Sequence, residues 1–425
     1  MLIVNGRLVD PAQSLDAMLD LRLRDGRVAE IGEHLRAEEG EESFDAAGAY
    51  VAPGFIDMHV HLREPGNPEK ETIASGSAAA AAGGFTAVAA MPNTKPAIDT
   101  PELVRYVAQA PASVRVYPVA AITQGRAGTA LLDYAALAQA GAVAFSDDGS
   151  TVMDAGVMRA AALAMRELRA VPIVHCEDER LKGDAVMSEG AVSQRLGLQG
   201  SPRVAEDVIV ARDLLLAEET GKAWHIAHLS TARSLELVRE AKRRGVAVTC
   251  EVAPHHLFFT GEEIERLGSG AKVNPPLRTR EDIQALADGV RDGTIDAFAT
   301  DHAPHTREEK NAHVGCGAVG FSGLEIAIGA YALAIPGLSV TRFVAALSTN
   351  PARILGVPGG TLAAGSPGDV TIFADEAWRV DAAAFYSKGK STPFDGMTLP
   401  RRAIATIVGG RLVMRRGELL SQVHV

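Results

Sequence analysis

Residues 53–66 read PGFIDMHVHLREPG. A short apolar run, Phe55-Ile56-Asp57-Met58, leads into His59-Val60-His61. Arg63, Glu64, Pro65 and Gly66 then break the pattern with charge and turn residues. Side chains alternate faces along a strand, so His59 and His61 point the same way. Two imidazoles aimed together at a strand end, with a loop behind them, suit a barrel whose active site lies at its strand ends. Taken alone, an H-x-H pair fits ordinary buried histidines equally well. The rest of the chain separates the two readings.

Outward from this stretch, strands and helices alternate. Strand candidates are Val51–Asp57, Phe85–Met91, Val114–Ala121, Ala142–Ser146, Val171–His175, Ala223–His228, Val246–Val252 and Asp296–Thr300. Helical stretches separate most of them: Ser75–Ala82, Pro101–Ala108, Tyr134–Ala140, Ala155–Leu168, Ala205–Thr220, Ser234–Arg244 and Asp282–Asp288. Eight such units predict an α/β fold, a (β/α)8 TIM-type barrel. The rival, a doubly wound open sheet, lacks its G-x-G-x-x-G after the first strand.

Both chain ends read as short strands with turns. Asn5-Gly6 between Leu2–Val4 and Arg7–Val9 is a hairpin signal, and Asp25-Gly26 turns between Leu19–Leu23 and Val28–Ile31. Asp369–Phe373 is a strand candidate, and Gly409-Gly410 joins Ile404–Val408 to Arg411–Met414. Neither end is large enough to bury a core alone. The expectation is one small β-sandwich domain, 1–52 plus 356–425, flanking a barrel over 53–355.

The 425 residues suit this plan, and 47% hydrophobic with 22% charged residues is ordinary for a globular chain. A formal charge of −11 advertises no surface for nucleic acid. No apolar run approaches the roughly 20 residues of a membrane span, and MLIVNGRLVDPAQ has no signal-peptide pattern. Cys176, Cys250 and Cys316 are far apart, so no disulfide framework is indicated and a cytoplasmic setting is expected.

The polar residues gather at strand ends. Strand one ends in His59 and His61, strand four in Asp147-Asp148, strand five in His175, strand six in His228, and strand eight in Asp301. Buried imidazoles and carboxylates need partners, so five such endings on one rim are hard to explain as packing. Neutral imidazoles and carboxylates suit zinc and similar divalent ions. Four histidines and two aspartates exceed one tetrahedral ion, whereas two ions sharing a bridging carboxylate use them all. Such a pair polarises a carbonyl and makes a metal-bound hydroxide available near neutral pH. Asp301, at the end of the last strand, is the candidate to shuttle its proton.

Together HLREPG (61–66), MPNTKP (91–96), FSDDG (145–149), KVNPPLR (272–278) and DHAPH (301–305) resemble the class I bacterial dihydroorotases of the amidohydrolase superfamily. The resemblance covers essentially the whole chain. It implies zinc and the reversible cyclisation of N-carbamoyl-L-aspartate to L-dihydroorotate plus water in pyrimidine (UMP) synthesis, with Asp301 as general acid and base. It places His59, His61 and Asp301 on a first metal, His175 and His228 on a second, and Asp148 as the bridge, with Asp147 as the alternative bridge. Many relatives bridge with a carboxylated lysine. No lysine occurs between Lys95 and Lys182, which sets the chain apart from hydantoinases and allantoinases.

The substrate's unreacting carboxylate calls for a planar guanidinium, which can hold it bidentately. Arg63 is placed for that, or for pairing with Glu64 or Glu69. By resemblance His61, Asn93 and His305 also meet substrate, Asn274 bonds the ring amide, and the backbone at Val319-Gly320 contributes. Asn93 and Asn274 sit in Pro-rich turns, where Asn is also common for local reasons. His302 and Cys176 point away from the site by alternation, and at most one of His255 and His256 faces it. The loop 302–320 is a candidate lid.

The rival readings are another cyclic amidase, such as allantoinase or dihydropyrimidinase, and a non-catalytic scaffold for aspartate carbamoyltransferase. The second is expected to lack metal ligands, and all six are present here. Association with aspartate carbamoyltransferase, or as a homo-oligomer, is compatible with the sequence.

Overall fold

Eight strands pair in chain order as one parallel sheet, seen in a computed structural model that describes residues 1–420. They are Phe55–Val60, Phe85–Ala90, Arg115–Ala120, Ala144–Phe145, Val171–Val174, Trp224–Ile226, Val248–Val252 and Ala297–Phe298. Strand eight returns to strand one. Val60 bridges His302 in parallel, the His61 N–H donates to the His302 carbonyl (2.8 Å), and Asp57 accepts from the Thr300 N–H and hydroxyl. The sheet is thus a closed (β/α)8 barrel.

The outer helices start where the sequence supplies a cap. Thr100, Asp133, Asp154, Thr231 and Thr279 each accept from an otherwise unpaired N–H of the first turn. Helix Ala232–Arg243 buries Leu235, Val238 and Ala241 at helical spacing against the barrel. Each large apolar side chain so buried stabilises the fold by about 1.5–3 kcal/mol.

The two chain ends form a separate nine-stranded sheet. Its central strands are Leu2–Asp10, Tyr50–Pro53 and Val370–Ala374, hydrogen-bonded side by side. Ile3, Leu8, Leu21, Val51, Val370 and Ile372 make its apolar core. The two later turns form as expected, joining Leu15–Arg24 to Arg27–Gly32 and Arg402–Val408 to Arg411–Arg415.

Two sequence expectations differ from the structure. Leu2–Asp10 is one strand, and Asn5-Gly6 is a bulge in it, not a hairpin turn. Asn5 takes φ 61°, and Gly6 lies so close to Val51 that a Cβ would come within 2.5 Å of Val51 Cγ2. The run Val51–Asp57 is two strands in two sheets, parted at Gly54. Trp378–Arg379 and Thr398–Leu399 pair with each other outside the terminal sheet. Val380, Phe394 and Leu399 pack instead with Phe259, Val273 and Phe321 from the loops at the barrel's strand ends.

Gly54 joins the two sheets with no room to spare. Its N–H donates to Asp369 O (2.9 Å), and its carbonyl accepts from Ser348 Oγ (2.8 Å). A Cβ there would sit 2.1 Å from Thr86 Oγ1 and 2.9 Å from Thr86 Cβ. Gly54→Ala is therefore expected to destabilise the chain by about 1–3 kcal/mol through overpacking. The check is the urea midpoint, and an unshifted midpoint would mean the joint can relax.

Candidate metal centre

Strand ends one, four, five, six and eight bring His59, His61, Asp148, His175, His228 and Asp301 into one buried cluster. His61 Nε2 lies 3.1 Å from Asp301 Oδ1, and His59 Nε2 lies 3.8 Å from it. Asp148 sits among all four imidazoles. Its oxygens are 3.1 Å from His59 Nε2, 3.5 Å from His61 Nε2, 3.6 Å from His228 Nε2 and 3.8 Å from His175 Nδ1. Asp147 turns the other way, accepting from the N–H groups of Ile122 (2.8 Å) and Thr123 (3.0 Å) and from the Thr123 hydroxyl.

The backbone is strained where these groups are presented. Arg63, His228 and Asp301 have φ of 59°, 28° and 50°, in the left-handed region that non-glycine residues rarely occupy. Such strain persists only where the surroundings over-determine it, and it clusters at functional sites.

Charge in the cluster is strongly coupled. Burial would raise Asp148, yet the imidazoles of His59, His228 and His61 hold it well below the usual carboxylate range. Burial would also raise Asp301, and His61 and His59 outweigh it and lower it. Burial would lower His59, but Asp148 and Glu251 raise it well above its ordinary value. The carboxylates therefore draw a positive charge into the cluster.

A divalent cation would supply that charge with the imidazoles neutral, and the donors fit one. All are nitrogen or carboxylate oxygen, the set zinc prefers. His59 Nε2, Asp148 Oδ1 and His228 Nδ1 are buried without a hydrogen-bond partner among the described residues. Groups of three donors that could hold an ion are His59, His61, Asp301 and His59, Asp148, His228. His175 Nδ1 faces His228 Nε2 at 3.0 Å, so its lone pair is directed into the same cluster.

A cavity of 290 Å³ opens beside these donors, a size suited to a small ligand. Arg63, Asn93, Asn274, His305, Val319 and Gly320 all line it. Arg63 donates to Pro304 O (3.2 Å) and lies against His305 Nε2 (3.1 Å). Neither Glu64 nor Glu69 pairs with it, and among the described residues no carboxylate is within ion-pair distance. Asn93 Oδ1 accepts from His61 Nδ1 (2.8 Å), which turns His61 Nε2 toward the carboxylates.

Asn274 is partly occupied, since Oδ1 accepts from Lys182 Nζ (2.7 Å) and Nδ2 donates to Val273 O (3.0 Å). At Val319-Gly320 the Val319 carbonyl accepts from His305 Nε2 (2.8 Å), and the Gly320 N–H donates to Lys272 O (2.8 Å). The loop 302–320 carries a short helix, Arg307–Lys310, whose Lys310 is buried and donates to the carbonyls of Ala318 and Gly320.

His302 is turned from the site, against Glu71 (3.3 Å), and Cys176 meets Asp213. His255 and His256 are both buried in the 3-10 turn Pro254–Leu257, where His256 Nε2 donates to Pro275 O (2.8 Å). Four supporting residues escaped the sequence reading. Glu251 accepts from His59 Nδ1 (2.9 Å), Glu177 accepts from His175 Nε2 (3.0 Å) and Lys182 Nζ (2.8 Å), and Arg126 donates to the Asp147 and Asp148 carbonyls. A lone Glu in the apolar strand Val248–Val252 was the available signal, because a buried carboxylate requires a partner.

A family model described as Dihydro-orotase-like matches residues 48–234. The chain is 49% identical over 421 residues to the dihydroorotase of Pelotomaculum thermopropionicum, covering 98% of each. It is 48% identical over 424 residues to the dihydroorotase of Anaeromyxobacter sp. (strain K), again covering 98% of each. Among solved structures, the L-hydantoinase (dihydropyrimidinase) from Arthrobacter aurescens superimposes with a TM-score of 0.88 at 27% identity, over 99% of this chain and 97% of that one. No helix among the described residues is long and apolar enough to cross a membrane. Near-half identity along almost its entire length places this barrel, with its strand-end histidines and aspartates, in a family: the chain belongs to the dihydroorotases of the amidohydrolase superfamily.

Proposed function

We propose that the chain catalyses the reversible cyclisation of N-carbamoyl-L-aspartate to L-dihydroorotate plus water, the dihydroorotase step of pyrimidine synthesis. The observation that carries the substrate choice is Arg63, a guanidinium with no carboxylate partner among the described residues, which lines the cavity beside the donor cluster. It suits a substrate carboxylate that takes no part in the reaction. In this reading residues 53–355 hold the chemistry, and 1–52 with 356–425 support it.

His59, His61 and Asp301 would hold one zinc ion, His175 and His228 a second, with Asp148 shared between them. When bound, such ions polarise a carbonyl oxygen and supply hydroxide near neutral pH. Asp301 moves the proton. In cyclisation its carboxylate takes one from the carbamoyl nitrogen, which attacks the side-chain carboxylate carbon; as the C–N bond forms a carboxylate C–O bond breaks, and that oxygen leaves as water with this proton and one from solvent. In hydrolysis a water adds to the ring carbonyl carbon, the C–N bond breaks, and Asp301 passes a proton from that water to the leaving ring nitrogen. Arg63 orients the substrate through its other carboxylate, with Asn93 and His305 beside it and Asn274 toward the ring amide. At Val319-Gly320 the Val319 N–H is the group left for substrate, since the neighbouring carbonyl and N–H are bonded within the chain.

Metal content measured alongside dihydroorotate hydrolysis tests this reading. About two zinc ions per chain are expected. Activity should vanish on chelation and return with zinc. Full activity after complete metal removal would overturn it. The likeness to a hydantoinase structure favours a second reading, a cyclic amidase for uncharged rings. Assays with dihydrouracil and allantoin beside dihydroorotate separate the two.

A further inference from the structure

Strand seven, Val248–Val252, reads VTCEV, and its Glu251 is fully buried. Burying an ion is costly unless it is paired and hydrogen-bonded. Here each carboxylate oxygen has its own imidazole. Glu251 Oε1 lies 2.9 Å from His59 Nδ1, and Oε2 lies 3.1 Å from His225 Nε2. A carboxylate only accepts, so both facing nitrogens must carry protons.

The arrangement continues one step further. His225 Nδ1 is 2.8 Å from Thr249 Oγ1, while the other acceptor open to that hydroxyl, Trp224 O, is 3.4 Å away. Thr249 therefore donates to His225 Nδ1, His225 donates through Nε2 to Glu251, and His59 donates through Nδ1 to the same carboxylate. One consistent set of protons runs through four side chains. It ends at His59 Nε2, which is buried, has no hydrogen-bond partner among the described residues and lies 3.1 Å from Asp148 Oδ1.

We propose that Glu251, held by His225 and Thr249, is the positioning residue that fixes which nitrogen of His59 presents its lone pair to the metal centre. The proposal rests on reading His59 as a metal ligand. Carboxylates behind ligating histidines typically matter 10–100-fold for metal affinity.

The proton pattern makes a test that simple packing would not satisfy. Glu251→Gln keeps the shape but replaces one of the two accepting oxygens with an NH2 group, which only donates. It can be tolerated if the amide donor faces His225 Nε2 and His225 shifts its proton to Nδ1, donating to Thr249. Zinc affinity of the metal-stripped variant, read by competition with a chromogenic chelator, is then expected to fall only about tenfold. Thr249→Val alone should change it less than about threefold, because the original tautomer survives. In the double variant His225 has no acceptor for the shifted proton. The amide donor must turn to His59, forcing its proton onto Nε2, and a loss of about 100-fold is expected. The Co(II) absorption spectrum should change with it, while far-UV circular dichroism and the urea midpoint confirm folding.

Wild-type affinity in Glu251→Gln, or a double variant equal to the product of the singles, would overturn the proposal. If the wild-type chain binds no zinc, the ligand reading and this inference fall together. If it binds zinc with these mutational effects but leaves dihydroorotate intact, the proposed function fails and the inference stands.

Discussion

Asp301→Asn is expected to lower turnover of dihydroorotate by about 10²–10⁴-fold, the usual contribution of a positioned general acid or base, while metal remains bound. The substitution removes the proton-accepting charge and little else. Asparagine keeps a carbonyl oxygen where Asp301 Oδ1 now lies, 3.1 Å from His61 Nε2. It also tolerates the left-handed φ of 50° at this position better than most residues do. Backbone placement should hold, because the neighbouring His302 is tied to strand one through His61 and Val60. Metal stoichiometry by elemental analysis, measured on the same sample as turnover, is the check. Turnover within about threefold of wild type would remove Asp301 from the proton path. Lost activity with lost metal would make it a ligand alone.

The eight barrel strands and the residues at their ends were readable because the β period is short and the ends are abrupt. His59 and His61 share a strand face whatever the tertiary context. His175, His228 and Asp301 each close an apolar run, so their position on one rim followed from the alternation alone. What could not be read depends on contacts between distant segments. Asn5-Gly6 has hairpin chemistry, but Leu2–Asp10 pairs along its length with Leu15–Arg24 on one side and with Tyr50–Pro53 beyond, which converts the turn signal into a bulge. Val51–Asp57 is one apolar run in sequence and belongs to two sheets in space, because Tyr50–Pro53 pairs with Val370–Ala374, over 300 residues away. Glu251 stands 192 residues from its partner His59, and nothing local to VTCEV names that partner. The apolar contacts of Phe394 and Leu399 with Phe259 and Phe321 are of the same kind.

Arg63→Met should cut kcat/KM for dihydroorotate by about 10²–10³-fold, most of it in KM. Truncating one member of a desolvated, hydrogen-bonded charge pair costs about 2–5 kcal/mol, and each 1.4 kcal/mol is tenfold. The loss should be selective, because Arg63 reaches none of the metal-site donors. Its contacts in the chain are Pro304 O and His305 Nε2. Dihydrouracil, the same ring without the carboxylate, gains nothing from the guanidinium, so any turnover of it should change less than about threefold. Arg63→Lys restores the charge as a point rather than a planar fork, and it should recover only part of the loss. The pattern across the two substrates decides the matter. A parallel fall for both would make Arg63 a support for the His305 loop and the cavity wall, leaving dihydroorotate without its selecting contact. A fall confined to the acid would place the substrate carboxylate on Arg63 and fix the ring's orientation in the 290 Å³ cavity, with its scissile amide facing Asp301.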